Sequence, residues 1–272
     1  MRQRAWLWLR SALFNLYFFS LTATGSLIGV AIASLAPHRL LDLGRLWVRL
    51  VRAGLRGLCG IEIVVTGSEH LPQGAAMGAA LIAPMHQSAF DTLIWLGLLP
   101  RASYVLKREL LRIPLFGRLI LPAGQIAVDR EGGASAMRGL MRDARAAAAA
   151  GRQIVIFPQG TRVAPGHAVK LQPGVAAVAL ATGLRVIPVA TDSGLRWGRR
   201  AFAKRPGIIH IAIGPPIPPG LGRDALLEQI GAAWDRLAAG WAGSVDKSVG
   251  TALSGFPSNQ KDDFQRIEKD GF

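Results

Sequence analysis

A histidine and an aspartate stand close together in MHQSAFD, residues 85–91. The stretch before it, MGAALIAP, is typical of a buried strand, and TLIWLGLLP after it is typical of a helix. A carboxylate that bonds one nitrogen of an imidazole fixes the tautomer and leaves the other nitrogen able to take a proton. His86 and Asp91 are therefore a candidate general base and the acid that orients it.

The same residues also have a purely structural interpretation. Five residues turn a regular helix by about 500°, so His86 and Asp91 can meet only if His86 stays in the turn before the helix. Ser88 followed three residues later by Asp91 is a capping-box pattern, which would use Asp91 to hold the helix N-terminus. The pair alone leaves catalysis and helix capping both open.

A second candidate group is FPQGTR, residues 157–162, which follows an apolar stretch. Gly160 and Thr161 offer backbone N–H groups and a hydroxyl, and Arg162 offers a planar guanidinium that matches phosphate oxygens. Lys107, in VLKREL, adds a second positive charge. Residues of these types are expected in a site that binds a phosphorylated ligand.

All these groups follow predicted strands. His86 comes after one strand, Lys107 after the next, Asp129-Arg130 after another and PQGTR after a fourth. Ligands of open α/β sheets bind at the carboxyl ends of the strands. We therefore expect the four groups to line a single cleft.

The elements that must position these residues alternate from about residue 60 to 220. Continuous apolar strands separated by helices predict an α/β fold, with a mixed, largely parallel sheet flanked by helices. The strands are predicted at 61–67, 77–84, 102–107, 125–130, 153–158, 184–193 and 207–217. The helices are predicted at 91–100, 133–151, 173–183 and 223–240, with a helix or helical turn at 111–124.

The N-terminus predicts a membrane-seating element. Residues 11–38 contain no Asp, Glu, Lys or Arg, and these 28 residues exceed the roughly 20 needed to cross a bilayer core. Aromatic residues cluster at its start, as interfacial anchors do: Trp6, Trp8, Tyr17, Phe18 and Phe19. A signal peptide is the competing interpretation, but the apolar stretch is too long for one. The sequence leaves open whether the segment spans the bilayer or turns back at Gly25 or Gly29.

The next segment, residues 40–60, predicts an amphipathic helix. Its arginines recur at steps of four, three and four: Arg45, Arg49, Arg52 and Arg56. The apolar residues assigned to the opposite side are Leu43, Leu46, Trp47, Leu50, Val51 and Leu58. Such a helix can pack on its own domain, but an all-arginine face after an anchor favours a position in the lipid headgroup layer. We assign 1–58 to membrane seating, 59–240 to the catalytic domain and 241–272 to a disordered tail.

The composition of the chain limits the classes of molecule that it is expected to bind. The 272-residue chain is half hydrophobic and carries a net charge of +15, from 26 Arg and 6 Lys against 17 acidic residues. This balance suits an anionic membrane surface or a phosphorylated substrate. Nucleic acid is not expected, because the basic residues form no recognised module. The single cysteine, Cys59, excludes an internal disulfide, and the five scattered histidines show no metal-ligand spacing, so we expect no metal.

Four blocks in order resemble the glycerolipid acyltransferase family, specifically the 1-acylglycerol-3-phosphate acyltransferases. The blocks are HQSAFD, KRELLRIPLFG leading to GQIAVDR, FPQGTR and VIPVA. They cover roughly residues 60–215, and residues 5–58 are similar in placement to the membrane-seating helices of that family. The resemblance implies an enzyme at the cytoplasmic face of the inner membrane.

The resemblance also implies a reaction, in which an acyl chain passes from acyl-CoA or acyl carrier protein to the free hydroxyl of a lysophospholipid. His86 would act as general base, Asp91 would steady the imidazolium, and Lys107 and Arg162 would hold the acceptor phosphate. N–H groups at the helix start after Ser88 would stabilise the oxyanion. No cofactor beyond the thioester donor is implied.

Two residues depart from the family pattern. Gln159 stands where the family has glutamate, which keeps one acceptor oxygen but removes the charge, and Met85 stands where many members have asparagine. Loss of the charge raises the alternative of a different acceptor, such as a lyso-ornithine lipid. A non-catalytic lipid-binding protein is the third possibility, although pure binding has no need of a base.

Overall fold

A computed structural model describes residues 2–72, 78–129 and 132–253 of the chain. All seven predicted strands are present within this part. They are β1 (Ile61–Thr66), β2 (Ala80–Pro84), β3 (Ala102–Lys107), β4 (Ile126–Val128), β5 (Gln153–Val155), β6 (Val186–Thr191) and β7 (Gly207–Ile213). Each strand lies within an apolar run of the sequence, so the positions predicted from these runs are correct.

Helices flank these strands. They are α1 (Arg2–Leu35), α2 (Leu40–Gly54), α3 (Asp91–Leu98), α4 (Gly117–Ile120), α5 (Gly133–Ala149), α6 (Gly174–Thr182) and α7 (Arg223–Leu253). A π-helical turn at Leu55–Cys59 extends α2, and a short 3-10 helix, Arg108–Arg112, precedes α4. The ambiguous stretch at 111–124 thus contains two helical turns, separated around Pro114, which cannot continue a helix in its interior.

The strands form one mixed sheet in the order β1-β7-β6-β2-β5-β3-β4. Every neighbouring pair is parallel except β6 and β7, which run antiparallel. The central strands β2 and β6 are buried at every position, as strands covered on both faces must be. The predicted mixed, largely parallel sheet flanked by helices is confirmed.

Two hydrophobic cores lie on opposite faces of the sheet. Alternation along β2 shows the division: Ile82 belongs to one core and Leu81 to the other. Residues of α1, α2 and α3 fill the first core, and residues of α5, α6 and α7 fill the second. Cys59 is buried in the first core, and burial raises the pKa of its thiol to about 11. The thiol is therefore protonated at neutral pH and packs as part of this core.

The N-terminal helix is continuous. Within α1, Gln3–Leu35 is long and apolar enough to cross a membrane by length and composition. The helix passes through Gly25 and Gly29 without turning back. It packs against α2 at a close approach, where a Cβ on Gly54 would come within 2.5 Å of the Tyr17 ring. Tyr17 also donates its hydroxyl to the Leu50 carbonyl at 2.9 Å.

The faces of α2 differ in part from the prediction. Val48, Val51 and Leu55 are buried, whereas Leu46 and Leu50 of the predicted apolar side are exposed beside Arg49. The cause is that α2 packs on two neighbours, α1 and α3, so the buried arc is centred on Val48 and Val51. The exposed side of α2 therefore combines arginine with leucine.

The chain divides into two compact units, Met1–Leu237 and Ala238–Phe272. Of the second unit the structure describes 238–253, where the backbone continues α7 to Leu253. The disordered tail assigned to 241–272 stays a prediction. Residues 254–272 lie outside the described residues.

Candidate active site

The turn between β2 and α3 brings His86 and Asp91 together. Nδ1 of His86 lies 3.5 Å from Oδ2 of Asp91, longer than a normal hydrogen bond, and both residues are buried. His86 stays in the turn while α3 begins at Asp91, which is the arrangement that the spacing requires. With Nδ1 facing the carboxylate, Nε2 is the nitrogen left to exchange a proton.

Asp91 also holds the turn itself. Its Oδ2 accepts the backbone N–H groups of Gln87 and Ser88, each at 2.7 Å. Ser88 Oγ accepts the N–H of Phe90 at 3.1 Å rather than that of Asp91, so only half of the capping box forms. The catalytic and the capping interpretations are therefore compatible, since one carboxylate oxygen serves the turn and faces the imidazole.

Three amides of this turn already have acceptors. The N–H groups of Gln87, Ser88 and Phe90 donate to the side chains of Asp91 and Ser88. Of the amides after Ser88, that of Phe90 is therefore not free to bind an oxyanion, and the role expected of the others stays a prediction.

Gln159 supports His86 from the turn after β5. Its side-chain Oε1 accepts the backbone N–H of His86 at 2.5 Å, and Val163 N–H donates to the His86 carbonyl at 2.8 Å. The imidazole stacks on Phe157, with ring centroids 4.2 Å apart. Gly160 has φ of +71° in this tight turn, a conformation that glycine adopts without strain. The FPQGTR segment and the residue after it thus hold His86 in place by hydrogen bonds to its backbone and by stacking on its ring.

A cavity of about 610 Å³ lies in front of His86. Most of its wall is apolar and comes from α1, α2, α3, β3 and the region of α4, with Trp47, Leu96, Leu106 and Phe116 among its lining residues. Its polar lining residues include His86, Lys107, Thr161 and Arg162. Asp91 and Gln159 are buried and stand outside this wall.

The positively charged side chains of the cavity are close enough for their charges to interact. Burial lowers the pKa of the Arg162 guanidinium, and the nearby carboxylate of Asp91 opposes this. The guanidinium groups of Arg199 and Arg200 lower the same pKa further. Lys107 is exposed at the end of β3. Such a concentration of positive charge favours an anionic ligand beside the histidine.

One predicted member of the cleft lies elsewhere. Asp129 lines a separate groove, formed with residues of α5 beyond β4, and Arg130 lies outside the described residues. The reason is strand order, because β4 is the outermost strand of the sheet. The expectation of four groups in one cleft is therefore wrong for Asp129.

Two basic residues of the cavity were missed by sequence reasoning. Arg199 and Arg200 line it, although they belong to no recognised block and follow β6 by several residues. The pair of adjacent arginines in RWGRRAF was the available signal, but consecutive surface arginines are common on a chain this basic.

The chain is similar in sequence and in fold to known acyltransferases. A family model described as Acyltransferase matches residues 62–192, which span β1 to the end of β6. A 1-acyl-sn-glycerol-3-phosphate acyltransferase of Pseudomonas aeruginosa is 35% identical over 191 residues, covering 69% of this chain and 73% of that relative. The chain belongs to the acyltransferase family.

Two further likenesses extend the comparison. A 1-acyl-sn-glycerol-3-phosphate acyltransferase of Limnanthes alba is 29% identical over 183 residues, covering 66% of this chain and 63% of the plant protein. The crystal structure of the 1-acyl-sn-glycerophosphate (LPA) acyltransferase PlsC from Thermotoga maritima superposes with a TM-score of 0.70 at 21% identity. That match covers 87% of this chain and 95% of the Thermotoga chain, and it establishes the shared fold.

Proposed function

We propose that the chain transfers an acyl group from an acyl-CoA or acyl carrier protein thioester to 1-acylglycerol-3-phosphate, forming phosphatidate. The observation that carries the proposal is the position of His86. It faces the buried carboxylate of Asp91 and lies in the wall of an apolar cavity that also presents Lys107 and Arg162. A base, an anion site and an apolar chamber are what this reaction needs.

In the proposed step, Nε2 of His86 takes the proton of the acceptor hydroxyl as its oxygen attacks the thioester carbonyl. A C–O bond forms, and collapse of the tetrahedral intermediate breaks the C–S bond. The proton then passes from the imidazolium to the departing thiolate, so the base is regenerated. Asp91 stabilises the imidazolium, and N–H groups at the start of α3 would stabilise the oxyanion. The chain needs no cofactor for this chemistry.

Lys107 and Arg162 would bind the acceptor phosphate. A guanidinium can donate two parallel hydrogen bonds to a phosphate, and a partly desolvated one gains more from an anion than a hydrated one does. Burial already disfavours the charged form of Arg162, since its pKa is lowered. An arriving phosphate would relieve this cost, which favours a dianionic acceptor.

The acyl chains would remain with the membrane. The helices α1 and α2 contribute Gly25, Leu43 and Trp47 to the cavity, and the same helices carry exposed apolar residues. These exposed residues include Trp6, Trp8, Leu9, Leu16, Phe19, Leu46 and Leu50. We place the protein at the cytoplasmic face of the inner membrane, where its arginines would contact anionic lipid. The bonds from α1 to the catalytic domain support a retained helix over a cleaved signal peptide.

Gln159 does not by itself argue for another acceptor. Its oxygen accepts a backbone N–H of His86, a task that an amide performs as well as a carboxylate. The residue at position 159 therefore acts on the backbone of His86. We assign binding of the acceptor phosphate to Lys107 and Arg162 instead.

The test is an acyl-transfer assay on the full chain with radiolabelled acyl-CoA. Lysophosphatidate and a lyso-ornithine lipid are supplied as separate acceptors, and wild type is compared with His86→Ala. We expect labelled phosphatidate from wild type and a loss of about 10²- to 10⁴-fold in the variant. Product that persists undiminished in His86→Ala, or labelling of the ornithine lipid alone, would refute the proposal.

A further inference from the structure

The segment between the end of β6 and β7, residues 196–206, carries two arginines to the cavity. We name this segment the arginine loop. Arg199 and Arg200 are exposed and line the same cavity as His86 and Arg162. They are close enough to Arg162 for their charges to act on it. Three guanidinium groups therefore share this cavity wall.

The conformation of the loop indicates that it is held rather than free. Arg200 has φ of +54°, in the left-handed region, which is costly for a residue with a side chain. Such a conformation persists only where surrounding contacts over-determine it. The ends of the loop are closed by a bond from Arg205 N–H to the Arg196 carbonyl at 2.9 Å.

The contacts that hold the loop come from α1. Lys204 is buried, and its Nζ donates to Oδ1 of Asn15 at 2.9 Å, while its backbone N–H donates to Oγ of Ser11 at 2.9 Å. The same Nζ donates to two loop carbonyls, those of Ala201 at 3.0 Å and Phe202 at 2.9 Å. Lys204 thus joins the loop to the N-terminal helix and ties the loop to itself.

Aromatic packing adds to these bonds. Trp197 meets Phe14 and Phe18 edge-on, at centroid distances of 5.5 and 5.6 Å. Phe202 stacks on Trp8 at 5.1 Å. The residues of α1 that hold the loop belong to the helix that we place in the membrane, so the loop and the membrane helix form one packed unit.

We propose that Arg199 and Arg200 bind the phosphate of the acceptor together with Arg162, and that Lys204 is the positioning residue that fixes them there through α1. The inference rests on the proposed acyl transfer, and it adds a second set of phosphate ligands outside the recognised blocks. The ligand class is a phosphate monoester on a lipid chain. An anionic headgroup of the leaflet offers similar chemistry and is distinguished by experiment.

The first experiment compares Arg199→Gln/Arg200→Gln with Arg205→Gln, which removes charge from the same loop at an exposed residue outside the cavity wall. We expect the double variant to raise KM for lysophosphatidate about 10- to 100-fold, since it loses charge-assisted hydrogen bonds, with kcat within about twofold. Arg205→Gln should leave both constants near wild type. An unchanged KM in the double variant would overturn the inference.

A binding measurement separates this inference from the proposed function. Calorimetric titration of dodecyl phosphate into the full chain in neutral micelles requires no catalysis. We expect the double variant to weaken this binding by the same factor as KM, while dodecanol shows no difference. If wild type forms no phosphatidate but binds dodecyl phosphate through these arginines, the proposed function fails and this inference stands. If wild type forms phosphatidate but its affinity for dodecyl phosphate does not depend on these arginines, the proposed function stands and this inference fails.

Flotation with vesicles tests the leaflet as the source of the anion. Neutral vesicles and vesicles containing phosphatidylglycerol are compared for the double variant and for Arg205→Gln. We expect the two variants to bind alike. A selective loss of binding to anionic vesicles in the double variant, with KM unchanged, would assign the arginines to the leaflet instead.

Lys204→Met tests the positioning role, because it keeps the apolar stem and removes the donors. We expect KM for lysophosphatidate to rise about 5- to 10-fold with kcat little changed, and the effect to vanish in the Arg199→Gln/Arg200→Gln background, as coupled residues require. Asn15→Leu, which removes the partner on α1, should act in the same way and provides a second route if Lys204→Met unfolds. Effects that multiply with those of the arginines would exclude a positioning role.

Discussion

His86 shows how a few side chains can serve both the backbone and the chemistry. Asp91 accepts two turn amides with the same oxygen that faces the imidazole, and Gln159 accepts the N–H of His86 itself. The histidine is therefore fixed through its ring, its backbone and its stacking on Phe157. A side chain held in this way loses little freedom when a substrate binds, which suits the general base that we propose.

Gln159 provides a test at this scale. Gln159→Glu keeps an acceptor oxygen for the His86 N–H, and we expect activity on lysophosphatidate within about threefold of wild type, because the hydrogen bond persists. Gln159→Leu leaves that buried N–H without an acceptor, at a cost of about 1–3 kcal/mol in unfolding free energy. It should also lower kcat by about tenfold, because the backbone of His86 is then held less firmly and its imidazole is less well placed for proton transfer. Equal activity of both variants would show that the side-chain oxygen is dispensable.

The sequence located this pair but not all of its surroundings. Residue types and spacing made His86 and Asp91 a candidate pair, because the two can meet only if His86 stays in the turn before the helix. The guanidinium and its place after an apolar stretch made Arg162 a candidate phosphate ligand. They did not predict Arg199 and Arg200, which reach the cavity through a loop whose path depends on distant contacts with α1. Tertiary packing of this kind leaves no local pattern.

At the scale of elements, the N-terminal helices are part of the catalytic domain's packing. The α1–α2 crossing depends on Gly54, where an added Cβ would meet the Tyr17 ring at 2.5 Å. Gly97 of α3 similarly admits Val48 of α2, with a Cβ position 3.1 Å from its side chain. Small residues thus let three helices approach closely over the first core.

Gly54→Val tests this packing. The larger side chain must displace Tyr17, and we expect a loss of about 1–3 kcal/mol in stability, as overpacked sites show. Gly57→Ala is the matched control, because its Cβ position meets no atom within 4 Å. Thermal unfolding of both variants in detergent measures the difference. Equal unfolding temperatures would contradict the close approach.

Lys204 predicts a pH dependence of stability for the link between α1 and the arginine loop. Burial lowers the pKa of Lys204 from 10.5 to about 8. Above this pKa the folded chain has released a proton that the unfolded chain still holds, so stability rises with pH. The thiol of Cys59, raised from 9.0 to about 11, acts in the opposite direction above pH 9.

The window that isolates Lys204 is therefore about pH 8 to pH 9. Wild type should gain stability relative to Lys204→Met across it, as measured by unfolding in detergent at both pH values. A constant difference between the two proteins would mean that Lys204 keeps its ordinary pKa.

The fold was predictable from apolar runs because the central strands are buried on both faces. Strands β2 and β6 are buried throughout and were located within a few residues. Strand order was not predictable, since no local pattern encodes it, and Asp129 was misplaced because β4 is the outermost strand. The buried arc of α2 was not predictable for the same reason, because it depends on the neighbours α1 and α3.

In the first unit, Met1–Leu237, exposed arginines and exposed apolar side chains lie on the same helix, α2. On α2, Arg49 and Arg56 are exposed beside Leu46 and Leu50, while Arg45 is bonded to Asp42 and to the carbonyl of Pro100. Arg56 approaches Glu62 at 3.8 Å, an exposed pair that contributes little to stability. The exposed guanidinium groups of Arg49 and Arg56 are thus accessible to an anionic leaflet.

Arg49→Gln/Arg56→Gln should weaken binding to vesicles that contain phosphatidylglycerol. Each arginine near an anionic surface contributes about 1 kcal/mol, so we expect about a 20- to 30-fold loss at low salt that shrinks as salt rises. Arg138→Gln/Arg185→Gln removes the same charge from exposed residues of α5 and of the segment before β6. Flotation that gives equal losses for both double variants would assign the attraction to net charge alone.

The most direct test of the central claim is a double-mutant cycle on His86 and Asp91, measured as kcat/KM for lysophosphatidate. Asp91→Asn keeps an oxygen for the turn amides and removes the charge that stabilises the imidazolium. We predict that each single variant loses about 10²- to 10⁴-fold, and that the double variant is no slower than His86→Ala, since the acid acts only through the base. Losses that multiply in the double variant would show that the two residues act independently and would contradict the account.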